Sequence, residues 1–444
     1  MTQTHPRSLE NRHLKPSPVQ LALHGAMAFP LAFAGLPIYL HAPDFYATAL
    51  GVPLTTLGLV LLVLRLIDAV QDPLIGLIGD RYPQHRQLLL LSGVVGLGAG
   101  LTMLFHPLHS APITWFALSV LLCTTGFSIV TIFLQTLGGL WDVAEVERSR
   151  ITSWREAIGL LGLLTAAAGP ALLGVSSNPQ RAFHLYSLYY LPILAVATAA
   201  LLYWTTQVRL LSQQQDKNDH AKKLLQWRDI FSHPWRRRFF ALYGLNTLAS
   251  AIPAVLVLFF IRDRLEAEAA TGTFLMIYFL SGAGSMPIWH FVATRLGKYR
   301  AWGGSMGVAI VTFIWASFLG PGDLFAYGVI CALSGLALGA DLALPPAILA
   351  DHINDSAGSR EASRLFSVTT LTTKTSLACA TGLVLPLLGF AGYQPGEALP
   401  MGLGPLLNIT YATLPCCLKI LCLVMLLRWQ GGGTARSALF DTPV

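Results

Sequence analysis

Charge is what this sequence lacks most. Only 11% of its 444 residues are Asp, Glu, Lys or Arg, whereas soluble globular domains hold about 25%. So thin a polar cover cannot wrap a soluble core. With 54% hydrophobic residues and a mean hydropathy of +0.59, the chain falls in the membrane class. Cysteine is sparse too, and Cys123, Cys331, Cys379, Cys416, Cys417 and Cys422 all sit in apolar runs. Their spacing fits neither a zinc site nor a disulfide framework, so they read as small core- or lipid-facing residues. No phosphate-binding loop, nucleophile motif or intramembrane His/Glu pair is present, which argues against an enzyme. The absence of a nucleotide-binding domain argues equally against a primary pump. The first 18 residues are polar without an apolar stretch, so no cleavable signal peptide is expected.

Long apolar runs, in contrast, are abundant. A helix needs about 20 apolar residues to cross a bilayer. Such spans are expected at 19–41, 52–79, 87–105, 112–139, 156–176, 184–207, 238–262, 271–293, 301–319, 324–349, 364–390 and 404–428. The expectation is an all-α membrane protein with twelve transmembrane helices. Lysine and arginine then choose the sides. With both termini cytoplasmic, twenty-three basic residues face inward and only Arg181, Arg262 and Arg264 lie in outer loops. The expected location is the plasma membrane, the inner membrane in a bacterium. The net charge of +7 follows from that bias and needs no nucleic-acid partner.

The longest polar stretch falls after six spans and before six more. It gives an N-terminal six-helix bundle over 1–206, a cytoplasmic linker over 207–237 and a C-terminal bundle with a short tail over 238–444. Two comparable halves fit a secondary transporter, working as a monomer in the lipid bilayer on a small-molecule substrate. Within the linker, "KKLLQWRDIF" (222–231) is amphipathic. It suits either the membrane surface or a solvated connection.

One run breaks its own hydrophobicity. "RLIDAVQDPLIG" (65–76) places Arg65, Asp68, Asp72 and Pro73 inside a span. Spacings of three and four put the three charges on one helical face. A single charge in hydrocarbon costs at least about 2.5–3.5 kcal/mol, so that face must line protein or a wet cavity. Pro73 offers no N–H and frees a carbonyl one turn earlier. Carboxylates and a free carbonyl are ligands for a hard cation, and carboxylates also accept protons. The competing reading is a structural Arg65–Asp68 pair with Asp72 as a cap. Two acids against one arginine leave a negative surplus, which favours the cation. The remaining charges within spans are Asp341, Lys374 and Lys419. Lys374 can pair with Asp341 or with the acids at 68 and 72, and spacing leaves both open. Lys419 reads as a partner that stabilises its bundle.

These residues carry a resemblance. "RLIDAVQDPLIG" resembles the second-helix signature of the glycoside–pentoside–hexuronide:cation symporters, melibiose permease-like members of the major facilitator superfamily. The signature is an arginine, an aspartate, Asp-Pro and a glycine, here Arg65, Asp68, Asp72, Pro73 and Gly76. "WDVAEVERSRITSWREA" (141–157) is similar to that family's loop after helix four, with Glu147, Arg148 and Arg155. "LALPPAILADHI" (342–353) is similar to the end of helix ten, and "SREASRLFSVTTLTTKTSLA" (359–378) sets Lys374 at the family's helix-eleven lysine.

The resemblance covers most of the chain. It implies two six-helix bundles in the major facilitator fold, transport rather than catalysis, and no cofactor beyond a coupling proton or sodium ion. Asp68 and Asp72 would bind that cation, with Ser128 and Thr131 as further ligands. Arg65 and Lys374 would balance charge, while Arg155 and Lys374 would lie near the substrate or its gates. Asp341 is an additional buried acid, expected at the solute. The chain departs from the family at two acids. Thr131 stands where melibiose-type members carry a helix-four acid, and "AMAFPLAF", near Pro30, lacks their helix-one aspartate. These losses count against melibiose-like sugars and lean the coupling towards a proton. A glycoside or sugar acid is the expected solute; an amphipathic or anionic one, such as a lysolipid or organic acid, is the alternative.

Overall fold

The computed structural model describes residues 15–174, 178–211, 227–355, 361–391 and 403–437. Nearly all of them are helical. The helices are α1 (Pro18–Gly25), α2 (Ala28–Leu36), α3 (Ala42–Leu50), α4 (Leu54–Arg81), α5 (Arg86–Phe105), α6 (Pro112–Gly139), α7 (Glu145–Leu172) and α8 (Pro179–Gln207). There follow α9 (Trp227–Ser232), α10 (Pro234–Phe259), α11 (Thr271–Leu296), α12 (Lys298–Phe313), α13 (Leu324–Asp355), α14 (Ala362–Phe390), α15 (Leu403–Asn408) and α16 (Leu414–Ser437). Among the described residues, nine helices are long and apolar enough to cross a membrane. The remaining three expected stretches, 19–41, 52–79 and 156–176, fall on α1 with α2, on α4 and on α7.

Local sequence explains the helix ends. α6, α8 and α10 each begin with proline at the first turn, where a missing N–H costs nothing. α1 opens with a capping box: Gln20 N donates to Ser17 Oγ at 3.2 Å and Ser17 N to Gln20 Oε1 at 3.0 Å. Between α11 and α12, Gly297 adopts φ +84° and turns the chain within one residue.

Two boundaries differ from expectation. The first span is broken, because Pro30 has no N–H for the Ala26 carbonyl; that carbonyl accepts from Phe29 N at 3.2 Å instead. A π-turn at Pro37–His41 then carries the chain on into α3. The second correction concerns the expected loop at 141–157, which is helical from Glu145 onward. Glu145 and Glu147 lie in the first turn of α7, where negative charge opposes the positive helix end. The expected linker is pinned at its start: Asp142 N donates to Arg209 O at 3.0 Å and Leu211 N to Leu140 O at 2.9 Å. The first half of the amphipathic 222–231 segment lies outside the described residues, with α9 covering Trp227–Ser232.

Packing falls into two sets. Within the first, α5 packs on α6 and α8, and α2 on α7; within the second, α11 and α12 pack on α13, and α10 on α14 and α16. One apolar core draws only on residues 21–210. Two others draw on residues 230–426, with Leu140 joining one of them. The sets meet where α4 packs on α14 and α7 on α11 and α13. Gly76 makes the first contact possible, since a Cβ there would run into Ser367 and the Ser363 carbonyl.

Candidate functional site

The α4–α14 seam brings the expected acids together with a lysine. Asp68 and Asp72 sit one turn apart near the middle of α4, and Asp72 is completely buried. Lys374, near the middle of α14, reaches Asp68 Oδ1 at 2.8 Å and Asp72 Oδ1 at 2.9 Å. Its Nζ also donates to Ser128 Oγ of α6 at 2.7 Å, and Ser128 Oγ donates to Asp68 Oδ1 at 3.2 Å. The spacing left two partners open for Lys374; it takes the α4 acids.

Two carboxylates against one ammonium leave a surplus negative charge. It is concentrated at Asp72 Oδ2, which is buried and receives no donor from the described residues. Such an oxygen is costly when left bare in a low-dielectric interior. It can take a proton or ligate a cation.

Gln71 also belongs to this cluster, though the charge pattern did not single it out. Its Nε2 donates to Asp68 Oδ1 at 2.6 Å, and its Oε1 accepts from Thr125 Oγ1 at 2.8 Å. The available signal was its place between the two acids, three residues after Asp68 on the same face.

Other expected residues lie elsewhere. Arg65 is exposed where Asp68 and Asp72 are buried, and Lys374 lies against both acids. Thr131 has a buried hydroxyl with no hydrogen-bond partner among the described residues, whereas Ser128 bridges directly. Arg155 is buried, but its guanidinium is engaged twice by the neighbouring Glu156.

Asp341 does not meet Lys374. Its Oδ2 accepts from Lys419 at 2.6 Å and its Oδ1 from Trp302 Nε1 at 3.2 Å, while Lys419 also donates to Asn246 Oδ1 at 2.9 Å. That cluster lies wholly on α10, α12, α13 and α16.

At the arginine-rich end of the helices, further ion pairs cross between the two sets. Asp80 at the end of α4 accepts from the Ser363 and Arg364 backbone N–H groups at 2.9 and 3.0 Å, and from Arg364 Nε at 3.0 Å. An acid of one set thus caps a helix of the other. Asp351 of α13 pairs with Arg148 of α7 at 2.9 Å and with Lys298, whose Nζ also donates to the Glu145 carbonyl. Asn354 Nδ2 donates to Gly139 O at 3.0 Å. Polar contacts therefore hold the two sets together at this end.

Comparison with known proteins supplies the wider frame. A family model described as MFS/sugar transport protein matches residues 22–430. YagG of Escherichia coli (strain K12), provisionally named a glycoside/cation symporter, is 28% identical over 198 residues, 41% of this chain and 43% of YagG. The inner membrane symporter YicJ of the same strain is 24% identical over 182 residues, 39% of each chain. The chain thus spans less than half the length of these curated relatives in the matched region. Among solved structures, an outward-facing bacterial homologue of the iron transporter ferroportin superposes with TM-score 0.70 at 18% identity, covering 94% of this chain and 100% of that one. The E. coli fucose:proton symporter FucP gives 0.65 at 14% identity, covering 92% and 98%. At such identities the likeness concerns the fold.

Proposed function

The chain belongs to the MFS/sugar transport family and has the major facilitator fold, and from that premise we propose that it is a cation-coupled secondary symporter of a small glycoside-type solute. The observation that carries this reading is the buried pair of carboxylates held by a single lysine across the seam between the two helix sets. Asp68 and Asp72 belong to one set and Lys374 to the other. A proton or sodium ion arriving at Asp72 neutralises the surplus charge and competes with Lys374 for the acids. The empty and loaded carriers then prefer different arrangements of the two halves, which is the thermodynamic content of coupling. Fewer carboxylates than a melibiose-type site would hold lean the choice towards a proton.

The arginine-rich end is read as cytoplasmic from the twenty-three-to-three charge bias. The ion pairs of Asp80 and Asp351 then close the inner side. The names of YagG and YicJ support symport, and that of YagG supports a glycoside. The anionic-solute alternative draws less support, because Arg155 is already engaged by Glu156.

The test is uptake into proteoliposomes under imposed proton or sodium gradients, measured beside counterflow, for Asp68→Asn and Asp72→Asn. Accumulation should fall about 100-fold, in line with a coupling of about 3 kcal/mol, while exchange persists if the solute still binds. Wild-type accumulation by both variants would show that the pair is structural.

A further inference from the structure

The second acid–base cluster opens onto a space of its own. A cavity of about 290 Å³ lies among α10, α11, α13 and α16, with Asp341 and Lys419 in its wall. All of its lining residues lie between Ala249 and Lys419, so Asp68 and Asp72 of α4 take no part in it. Its volume stands at the lower edge of small-molecule sites, about 300–1,000 Å³.

The walls have two characters. Ala254, Leu275, Phe279, Phe313 and Leu338 make an apolar body. At the polar side, Asp341 and Lys419 are only partly covered, with side chains 12% and 10% exposed. Two donors of the Lys419 ammonium are used, by Asp341 and Asn246, which leaves a third. Each Asp341 oxygen accepts one bond, from Trp302 or Lys419, so further lone pairs remain. A free donor therefore stands beside free acceptors, with no net charge between them.

We propose that this cavity binds a neutral amphipathic molecule, an apolar ring or chain ending in hydroxyl or amide groups. A hydroxyl-bearing end can both accept from Lys419 and donate to Asp341. A net charge on the ligand would be uncompensated beside a pair already neutral, at a large desolvation cost. An apolar body removes the aromatic and aliphatic wall from water. The inference does not rest on the proposed symport, since it requires binding alone.

The experiment is calorimetric titration of the full chain in lipid nanodiscs with phenyl β-D-glucopyranoside, beside the anionic phenyl β-D-glucuronide. Wild type is expected to bind the glucoside, and the glucuronide at least tenfold more weakly. Ala254→Trp and Leu275→Trp, which fill the cavity from two helices, should each weaken glucoside binding at least tenfold. Three outcomes overturn the proposal: no glucoside binding by wild type, equal binding of the glucuronide, or unchanged glucoside binding in both tryptophan variants. The last would place the ligand outside this cavity. Symport fails separately, by accumulation that is unaltered in the α4 variants.

Discussion

Two lysines, one half-buried and one buried, hold aspartates within the helices, and they do so in opposite ways. Lys374 is shared between two acids of the other helix set, one of which keeps a bare buried oxygen. Lys419 faces one acid of its own set, and both partners are further satisfied by Asn246 and Trp302. The first cluster is charged, incomplete and stretched across a seam. The second is neutral and internal, and each of its carboxylate oxygens has a donor. A group of the first kind changes energy when an ion arrives or the halves separate; a group of the second kind keeps its partners through either event. The difference teaches where to look for coupling and where to look for binding or plain support.

The sharpest way to break this contrast is at the two lysines. Lys374→Met leaves two carboxylates facing each other in the interior, and the expected loss of stability is about 5 kcal/mol, the upper end for breaking a buried pair. Adding Asp72→Asn should recover more than half of it, measured by unfolding in detergent. Lys419→Met strands a single acid that keeps the Trp302 donor, so about 3 kcal/mol is expected. If Lys419→Met also abolishes the gradient dependence of uptake as fully as Lys374→Met, the two clusters do not differ in kind.

Smaller effects sharpen the picture at the edges. Asp80→Asn removes the charge that caps α14 from α4. It should raise hydrogen exchange at the Ser363 and Arg364 amides about tenfold or more, as expected for losing a charge-assisted bond worth about 1.5–3 kcal/mol. An unchanged exchange rate would mean that the end is held by Asp351 and its partners alone. Least of all, Ser128→Ala removes one hydroxyl between Lys374 and Asp68. It should cost about 1 kcal/mol of stability and about fivefold in cation affinity, read by unfolding and by the ion dependence of uptake.

The sequence by itself determined the class of the protein, most of its helices and the two acids of its candidate site. Those properties are local: apolar length makes a span, and spacings of three and four set Asp68 and Asp72 on one face of whatever helix they join. Local pattern also named Lys374 as a candidate, and it failed where breaks and caps override hydropathy, at Pro30 and at Glu145. Only the tertiary structure decided who meets whom. Lys374 went to the α4 acids, Asp341 to Lys419 and Arg155 to Glu156. The reason is that a helix fixes the angle between its own side chains within one turn. Its rotation and depth against a neighbour are set by packing summed over the whole bundle, such as the approach of α4 to α14 that Gly76 permits. Charges from helices hundreds of residues apart meet, or miss, by the result of that sum.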